Sequence, residues 1–182
     1  MYRLKAIKFQ NGKAFQPTVL RATFPLQAGE IFNTAKIRLG LENLRRLYFD
    51  EGYLNFTPIP DTVVDDDKGT VSLSIDLDED KQYRVASLKI FGLDWERTTK
   101  LLCGWPVKPG MIYRSEAIER FFTRNQAWLP PGSTPLVNLE RRMNEKSGTV
   151  DVFLNFSDID APTVEVQAKN PNIECSSEKP RR

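Results

Sequence analysis

Residues 39–55, LGLENLRRLYFDEGYLN, have the pattern of an amphipathic helix that runs into a glycine stop and then a strand. Apolar residues recur along this stretch and its N-terminal flank at the 3.6-residue period of a helix with one buried face. They are Ile37, Leu41, Leu44 and Tyr48. Gly52 lies where the helix should end, because glycine takes the left-handed conformation of a C-terminal cap without a steric penalty. Tyr53, Leu54 and Phe56 then favour a strand.

The sequence before this helix predicts a strand over residues 2–9 and then a short helix. Pro17 is placed at the start of the short helix, since proline suits the first helical position. Three apolar residues are expected on its buried side: Val19, Leu20 and Phe24. Thr34 is the expected N-cap of the longer helix.

Two strands are predicted after Gly52, over residues 53–57 and 71–77, with an acidic loop over residues 61–69 between them. Pro58 and Pro60 lack the amide protons that hydrogen bonding in a sheet requires, so the strand at residues 53–57 is expected at a sheet edge. Residues 71–77 alternate apolar and polar without interruption, which is typical of a central strand with one buried face.

The same order of signals returns about 80 residues later. Gly110 lies 81 residues after Gly29, and Ser115 lies 81 residues after Thr34. Residues 148–150 repeat residues 69–71 and open another alternating strand over residues 150–156. Several separate landmarks with nearly the same spacing indicate an internal repeat.

The repeat predicts an α+β chain of two tandem β-α-α-β-β units, each a three-stranded mixed sheet covered on one face by two helices. We expect the units at residues 1–80 and 81–159, and a tail or linker at residues 160–182. Within that tail, residues 162–167 alternate and are expected to begin a strand that leads to a next domain.

Composition argues against several classes of function. The chain has no histidine and a net charge of +2, which disfavours histidine catalysis and gives no sign of nucleic-acid binding. We find no nucleophile–base pair, phosphate-binding loop or metal-ligand cluster, so we expect no enzyme, no cofactor, no metal and no small-molecule substrate. The acidic residues 65–67 lack EF-hand spacing and are interpreted as a solvated hairpin tip.

Other features leave alternatives open. Cys103 and Cys175 are either one disulfide or two separate thiols. Trp95, Trp105 and Trp128 are candidates for an aromatic surface patch, although the repeat places Trp128 in the core. No secretory signal and no apolar run of the ~20 residues of a membrane helix is present, so the chain is expected to be cytosolic or a fragment of a longer precursor.

The order of elements resembles the POTRA domain, the polypeptide-transport-associated module. The resemblance rests on Gly29 with Ile31 and Phe32, on residues 44–48, on Gly52 with Tyr53, and on the strand at residues 71–77. The second unit departs from this pattern at residues 128–132, WLPPG.

The resemblance implies a periplasmic location, as the soluble part of a longer outer-membrane protein. Tandem arrays of this kind precede a C-terminal membrane β-barrel in BamA-type outer-membrane protein assembly factors. The implied partners are unfolded outer-membrane protein clients or partner subunits. Capture would occur by addition of an extended strand to an exposed sheet edge.

We expect the acceptor edge to be the strand after the longer helix of each unit. In the first unit these residues are Leu54, Asn55, Phe56 and Thr57. In the second unit they are Leu136, Val137, Asn138 and Leu139, and this edge is expected to be the better acceptor because no proline interrupts it. The alternative function is a structural interaction scaffold with one fixed partner in a cell-division or secretion complex.

Overall fold

The structure, a computed structural model, describes residues 1–156 and 164–167. The chain divides into two compact units, unit 1 from Met1 to Gln82 and unit 2 from Tyr83 onward. Within the described residues, no helix is long and apolar enough to cross a membrane.

Unit 1 contains three strands and two helices. In chain order they are β1 (Arg3–Gln10), α1 (Pro17–Ala22), α2 (Thr34–Asp50), β2 (Thr57–Asp65) and β3 (Thr70–Asp78). The sheet order is β1-β3-β2, with β1 parallel and β2 antiparallel to the central strand β3. This mixed three-stranded sheet with two helices confirms the predicted fold class.

The core of unit 1 lies between the helices and one face of the sheet. Leu44 and Tyr48 of α2 and Ile75 of β3 are fully buried there. Burial of a large apolar side chain contributes about 1.5–3 kcal/mol, so this packing outweighs the intrinsic preference of either helix. Val19 was expected in this core but is exposed on α1, whereas Leu20 is buried as predicted.

The two ends of α2 are closed by different means. Asn33, not Thr34, is the N-cap, and its side-chain oxygen accepts from the amides of Ala35 and Lys36. At the other end Gly52 has a φ of 81°, as the glycine-stop argument requires. The amide of Tyr53 donates to the carbonyl of Tyr48 at 3.0 Å, which is the long hydrogen bond of a Schellman motif.

The chain from Tyr53 to Phe56 is a turn, and the strand starts only at Thr57. The strand expected at residues 53–56 is therefore wrong. The rings of Tyr53 and Phe56 both pack on Tyr48, with centroid distances of 5.6 and 3.7 Å. The apolar residues that suggested a strand here belong instead to a turn, which directs Leu54 and Phe56 into the core. Since β2 ends at Asp65, the hairpin loop is also shorter than predicted.

Unit 2 repeats this order and adds two elements. In chain order it has β4 (Arg84–Phe91), α3 (Trp95–Gly104), α4 (Ser115–Asn125), α5 (Pro135–Asn138), β5 (Leu139–Asn144), β6 (Thr149–Asn155) and β7 (Val164–Gln167). The sheet order is β5-β6-β4-β7, so β6 is flanked by β5 and β4 as predicted. Ser115 was expected to cap α4, but the cap position is Arg114, one residue earlier.

Helix α5 replaces the start of the strand that was predicted at residues 136–140. Thr134 is its N-cap, and its hydroxyl accepts from the amide of Val137 at 3.3 Å. Pro135 occupies the first helical position. These two residues are standard helix-start signals, and together they outweigh the alternating pattern of the next residues.

Strand β7 belongs to the sheet of unit 2. It pairs antiparallel with β4, with Ile90 opposite Val164 and Ser87 opposite Gln167. The predicted strand at residues 162–167 therefore exists in part, but its pairing partner was not foreseen. The predicted tail or linker at residues 160–182 otherwise lies outside the described residues, as does Cys175.

The repeat extends to individual backbone hydrogen bonds. In each unit one residue of the first strand exchanges two hydrogen bonds with the turn at the repeated glycine. Leu4 pairs with Gly29 and Glu30 at 2.7 and 2.9 Å, and Val85 pairs with Gly110 and Met111 at the same distances. A register shift follows at once in both strands, between Leu4 and Ala6 and between Val85 and Ser87.

Candidate polypeptide-binding edges

The direction of the backbone groups in β2 follows from one hydrogen bond at the start of the sheet. The amide of Arg3 donates to the carbonyl of Gly69 at 2.9 Å. Odd-numbered residues of β3 therefore face β1 and even-numbered residues face β2, because backbone groups alternate in direction along a strand. The residues of β2 opposite the odd-numbered positions direct their own N–H and C=O outward. They are Pro58, Pro60, Thr62 and Val64.

The outer edge of β2 has few donors to offer an added strand. Pro58 and Pro60 have no amide proton, as the sequence indicated. The amide of Thr62 donates to the side chain of Asp61 at 2.9 Å. Of the four outward residues, this leaves Val64, whose amide has a proton and does not donate to Asp61. Prolines and charged side chains are common means of protecting an edge strand, and β2 has both on its outer edge.

The outer edge of β5 has more backbone donors than that of β2. The amide of Arg84 donates to the carbonyl of Gly148 at 3.0 Å, which sets the direction of the groups in β6 by the same reasoning. The outward residues of β5 are Leu139, Arg141 and Met143. The amide of Leu139 already donates to the carbonyl of Pro135, so Arg141 and Met143 supply the outward donors.

The predicted binding residues of unit 1 fall mostly before the edge strand. Leu54 and Phe56 are buried, and Phe56 is only 4% exposed. The side chain of Asn55 donates to the carboxylate of Asp80, which follows β3, at 2.8 Å. Thr57 is the one member of this set that lies in β2, at its first position. Leu54 and Phe56 were placed on an accessible strand in error, because the turn points their side chains into the core.

The predicted binding residues of unit 2 lie on α5 and at the first position of β5. Leu136 and Val137 are 94% and 72% exposed on α5, while Leu139 opens β5. Asn138 is buried and accepts from the amide of Thr134 at 2.9 Å while donating to the carbonyl of Asn155 at 2.7 Å. Its predicted role as an edge residue is therefore replaced by a structural one, which fixes α5 against β6.

Arginines flank the β5 edge on both faces of the sheet. The guanidinium of Arg142 lies 4.5 Å from the ring centre of Phe153, and its Nε donates to Glu140 at 2.8 Å. On the other face Arg141 lies 5.7 Å from the ring centre of Tyr113. Burial raises the pKa of Tyr113 and the positive charge of Arg141 opposes that rise, so the phenol stays neutral at physiological pH. The charge of Arg142 is thus paired with Glu140, whereas Arg141 lies beside a neutral ring.

A groove between α3 and α4 was not predicted from the sequence. It has a volume of about 550 Å³ and is lined in part by Lys100, Arg120, Arg124 and Trp128. Lys100 lies 4.7 Å from the ring centre of Trp128. The spacing of the two arginines and Trp128, four residues apart in each step, was the available signal. Trp105, by contrast, is 2% exposed and belongs to the core, so the three tryptophans do not form one surface patch.

No group of metal-ligating side chains occurs among the described residues.

Residues 2–80 match the POTRA family model, described as a surface antigen variable number repeat. Unit 1 is a POTRA domain. The match covers almost the whole of unit 1. Unit 2 contains the same order of elements, the same topology in three of its strands and the same hydrogen bonds at the repeated glycine, with α5 and β7 added. POTRA domains are a family of non-catalytic modules.

Two solved structures resemble the chain as a whole. POTRA domains 3–5 of BamA from Haemophilus influenzae match with a TM-score of 0.66 at 20% identity, over 85% of this chain and 65% of that one. BamA from Haemophilus ducreyi lacking POTRA domains 1–3 matches with a TM-score of 0.66 at 12% identity, over 86% of this chain and 29% of that one. The chain thus spans less than two thirds of each, and the similarity establishes the fold. A search of curated protein sequences found no match.

Proposed function

We propose that this chain is a periplasmic polypeptide-binding module of an outer-membrane protein assembly or translocation factor. Its partners are unfolded outer-membrane protein clients or partner subunits, and a C-terminal membrane β-barrel in the longer protein is part of the proposal. The POTRA match of unit 1 and the fold similarity to BamA POTRA domains support it.

The observation that carries the proposal is the outer edge of β5, which pairs with no strand among the described residues. Arg141 and Met143 each direct an N–H and a C=O away from the sheet, so a strand that pairs with both forms four backbone hydrogen bonds. Backbone hydrogen bonds make few demands on sequence, which suits a receptor for many clients. At about 1 kcal/mol net for each bond, this pairing alone gives weak and reversible capture.

The flanking arginines add a preference to this general contact. Arg141 and Arg142 lie on opposite faces of the sheet beside the same edge. A client strand with acidic residues gains mainly from Arg141, since Arg142 is already paired with Glu140, and a strongly basic strand is disfavoured. Leu136 and Val137 of α5 stand just before the edge and offer apolar surface to a longer client.

The test replaces one outward donor without altering the ladder to β6. Met143→Pro removes the outward amide proton, and Met143→Ala is the matched control that removes the side chain and keeps the proton. The probe is a fluorescent peptide taken from a transmembrane strand of an outer-membrane protein. We expect Met143→Pro to weaken binding by about fivefold, the equivalent of one hydrogen bond, and Met143→Ala to weaken it less.

Tryptophan fluorescence checks that the fold survives, since all three tryptophans lie in unit 2. If the proline variant keeps its fold and binds the peptide as tightly as the parent does, β5 is not the acceptor edge.

A further inference from the structure

The edge of β4 in unit 2 is already occupied by a strand of the same chain. The carbonyl of Phe91 accepts from the amide of Phe156 at 3.0 Å, so Phe91 faces β6 and its neighbour Ile90 faces the other way. By the same alternation Leu88 also faces away from β6. These two outward residues lie opposite Val164 and Val166 of β7, which runs antiparallel to β4.

The equivalent edge in unit 1 is β1. Leu88 and Ile90 correspond to Ile7 and Phe9, because both strands have the same register shift and the same partners in the central strand. Ile7 and Phe9 therefore direct their N–H and C=O groups outward from β1. β1 is the edge strand of its sheet, and among the described residues no strand pairs with this side.

A groove runs beside this open half of β1. It has a volume of about 570 Å³ and lies between β1 and α1. Its lining residues are Ile7, Lys8, Phe9, Pro17, Thr18 and Arg21. An added strand can therefore form backbone hydrogen bonds to Ile7 and Phe9 and place side chains against apolar surface at the same time.

We propose that residues 6–9 of β1 accept an extended client segment, antiparallel to β1, in the register that β7 has on β4. The inference rests on the proposed function and names a second acceptor edge for it. It also assigns β7 a role: this strand covers in unit 2 the edge that no described strand covers in unit 1. Capture by unit 1 thus uses β1, because prolines and Asp61 restrict the outer edge of β2.

The register of β7 on β4 indicates which types of residue the client segment should have. Val164 and Val166 lie opposite Ile90 and Leu88, and Glu165 lies opposite Lys89. Transferred to unit 1, the two apolar residues lie opposite Phe9 and Ile7, and the acidic residue lies opposite Lys8. Cross-strand pairs of opposite charge and of apolar residues each favour pairing. The preferred client segment therefore alternates β-branched and polar residues and has a carboxylate between the two apolar positions.

The probe that follows is a peptide of this chain's own residues 161–168, APTVEVQA. Amide hydrogen exchange in the full chain, measured residue by residue by NMR, reports where it binds. In the chain alone we expect the amides of Ile7 and Phe9 to exchange quickly and those of Lys8, Leu88 and Ile90 slowly. Saturating peptide should slow exchange at Ile7 and Phe9 by at least about fivefold, since a bonded amide exchanges only when the pairing opens.

Two modified peptides give the matched control. In the proposed register the amide of Val166 bonds to β1 and the amide of Glu165 faces away from it. N-methylation at Val166 should therefore abolish the protection of Ile7 and Phe9, and N-methylation at Glu165 should leave it. Equal effects of the two modifications overturn the register and with it the proposal.

The remaining outcomes are also decisive. Protection at Arg141 and Met143 alone overturns the β1 assignment and leaves edge-strand capture at β5 intact. Protection at Thr62 and Val64 alone means that β2 is the acceptor of unit 1. Protection of Ile7 and Phe9 that increases with protein concentration in the absence of peptide identifies a second copy of this chain as the occupant, which also overturns the proposal.

Discussion

The hydroxyl of Tyr48 donates a hydrogen bond to the carboxylate of Glu79 at 2.7 Å, which joins the end of α2 to the segment after β3. The same carboxylate oxygen accepts from the amides of Lys13 and Ala14 at 2.8 and 3.0 Å. Glu79 thus holds three separate segments of unit 1 together. Burial and this hydrogen bond raise the pKa of Tyr48 far above its ordinary value, so the phenol stays neutral in the folded state.

Tyr48→Phe should lower the stability of unit 1 by about 2 kcal/mol, because a hydrogen bond to a charged group contributes roughly 1.5–3 kcal/mol. The phenyl ring keeps its packing against Phe56, so the loss comes from the hydroxyl alone. Urea unfolding followed by far-UV circular dichroism measures it. Tryptophan fluorescence, which reports only unit 2, is the internal control. A parent and a variant with the same urea midpoint would show that the bond to Glu79 contributes nothing.

Tyr48 should also make unit 1 sensitive to alkaline pH. A pKa raised on folding contributes stability that is present below the unfolded-state pKa of about 10 and is lost as pH rises beyond it. Between pH 9 and 11 the parent should lose about 1.4 kcal/mol more than Tyr48→Phe, since the ionised phenol is stable only in the unfolded chain. Parallel pH profiles for the two proteins would contradict this.

Much of this fold could be predicted because its signals are local. Gly52 ends the helix beside it, and the alternation at residues 71–77 specifies a strand over the same residues. The structure has both features where the sequence predicted them. The N-cap of α2 was missed by one position, because Asn33 and Thr34 are both good caps and only the backbone conformation decides between them. The repeat was visible because each unit needs a glycine with positive φ at the same turn, Gly29 and Gly110.

The candidate edges were harder to locate because they depend on distant partners. Tyr53 and Phe56 have the composition of a strand, but the ring of Tyr48 draws them into a turn. Strand β7 was visible as a pattern, whereas its pairing with β4 involves residues far away in the sequence. Which amides face outward also depends on pairing register, which a single strand's sequence does not specify.

Gly52→Val should destabilise unit 1 by roughly 1 kcal/mol or more, because a β-branched residue is strained at a φ of 81°. The Schellman hydrogen bonds that end α2 depend on this conformation. Gly52→Asn is the control, since asparagine tolerates the left-handed region, and it should cost less. Thermal unfolding followed at 222 nm gives both values. An unchanged melting temperature for the valine variant would contradict the capping argument.

Gly40→Ala should destabilise unit 1 although alanine favours a helix more than glycine does. A Cβ at Gly40 would lie 2.1 Å from Cδ1 of the buried ring of Phe24. The gain in helix propensity is about 1 kcal/mol, while overpacking a core costs typically 1–3 kcal/mol. We therefore expect a net loss, and the second change Phe24→Leu should recover part of it. Leu39→Ala, on an exposed position of the same helix, should be nearly neutral. A stabilised Gly40→Ala would show that Phe24 moves aside easily.

Asn138→Ala should lower the stability of unit 2 and loosen the start of the β5 edge. The amide group of Asn138 bonds to Thr134 and Asn155, and the residue is only 9% exposed. Removal leaves the N–H of Thr134 and the C=O of Asn155 without this partner, at a cost of up to about 1–3 kcal/mol each where water cannot replace it.

Asn138→Asp separates the two bonds of this side chain. It keeps the acceptor for Thr134 but places a carboxylate oxygen against the carbonyl oxygen of Asn155, so it should destabilise unit 2 at least as much as Asn138→Ala at neutral pH. Tryptophan fluorescence in urea measures stability, and amide exchange at Leu139 and Arg141 measures the edge. Because the side chain fixes α5 against β6, faster exchange at Leu139 should accompany the loss of stability. Unchanged exchange at Leu139 in the alanine variant would show that β5 holds its position without α5, and that the edge is set by its pairing with β6 alone.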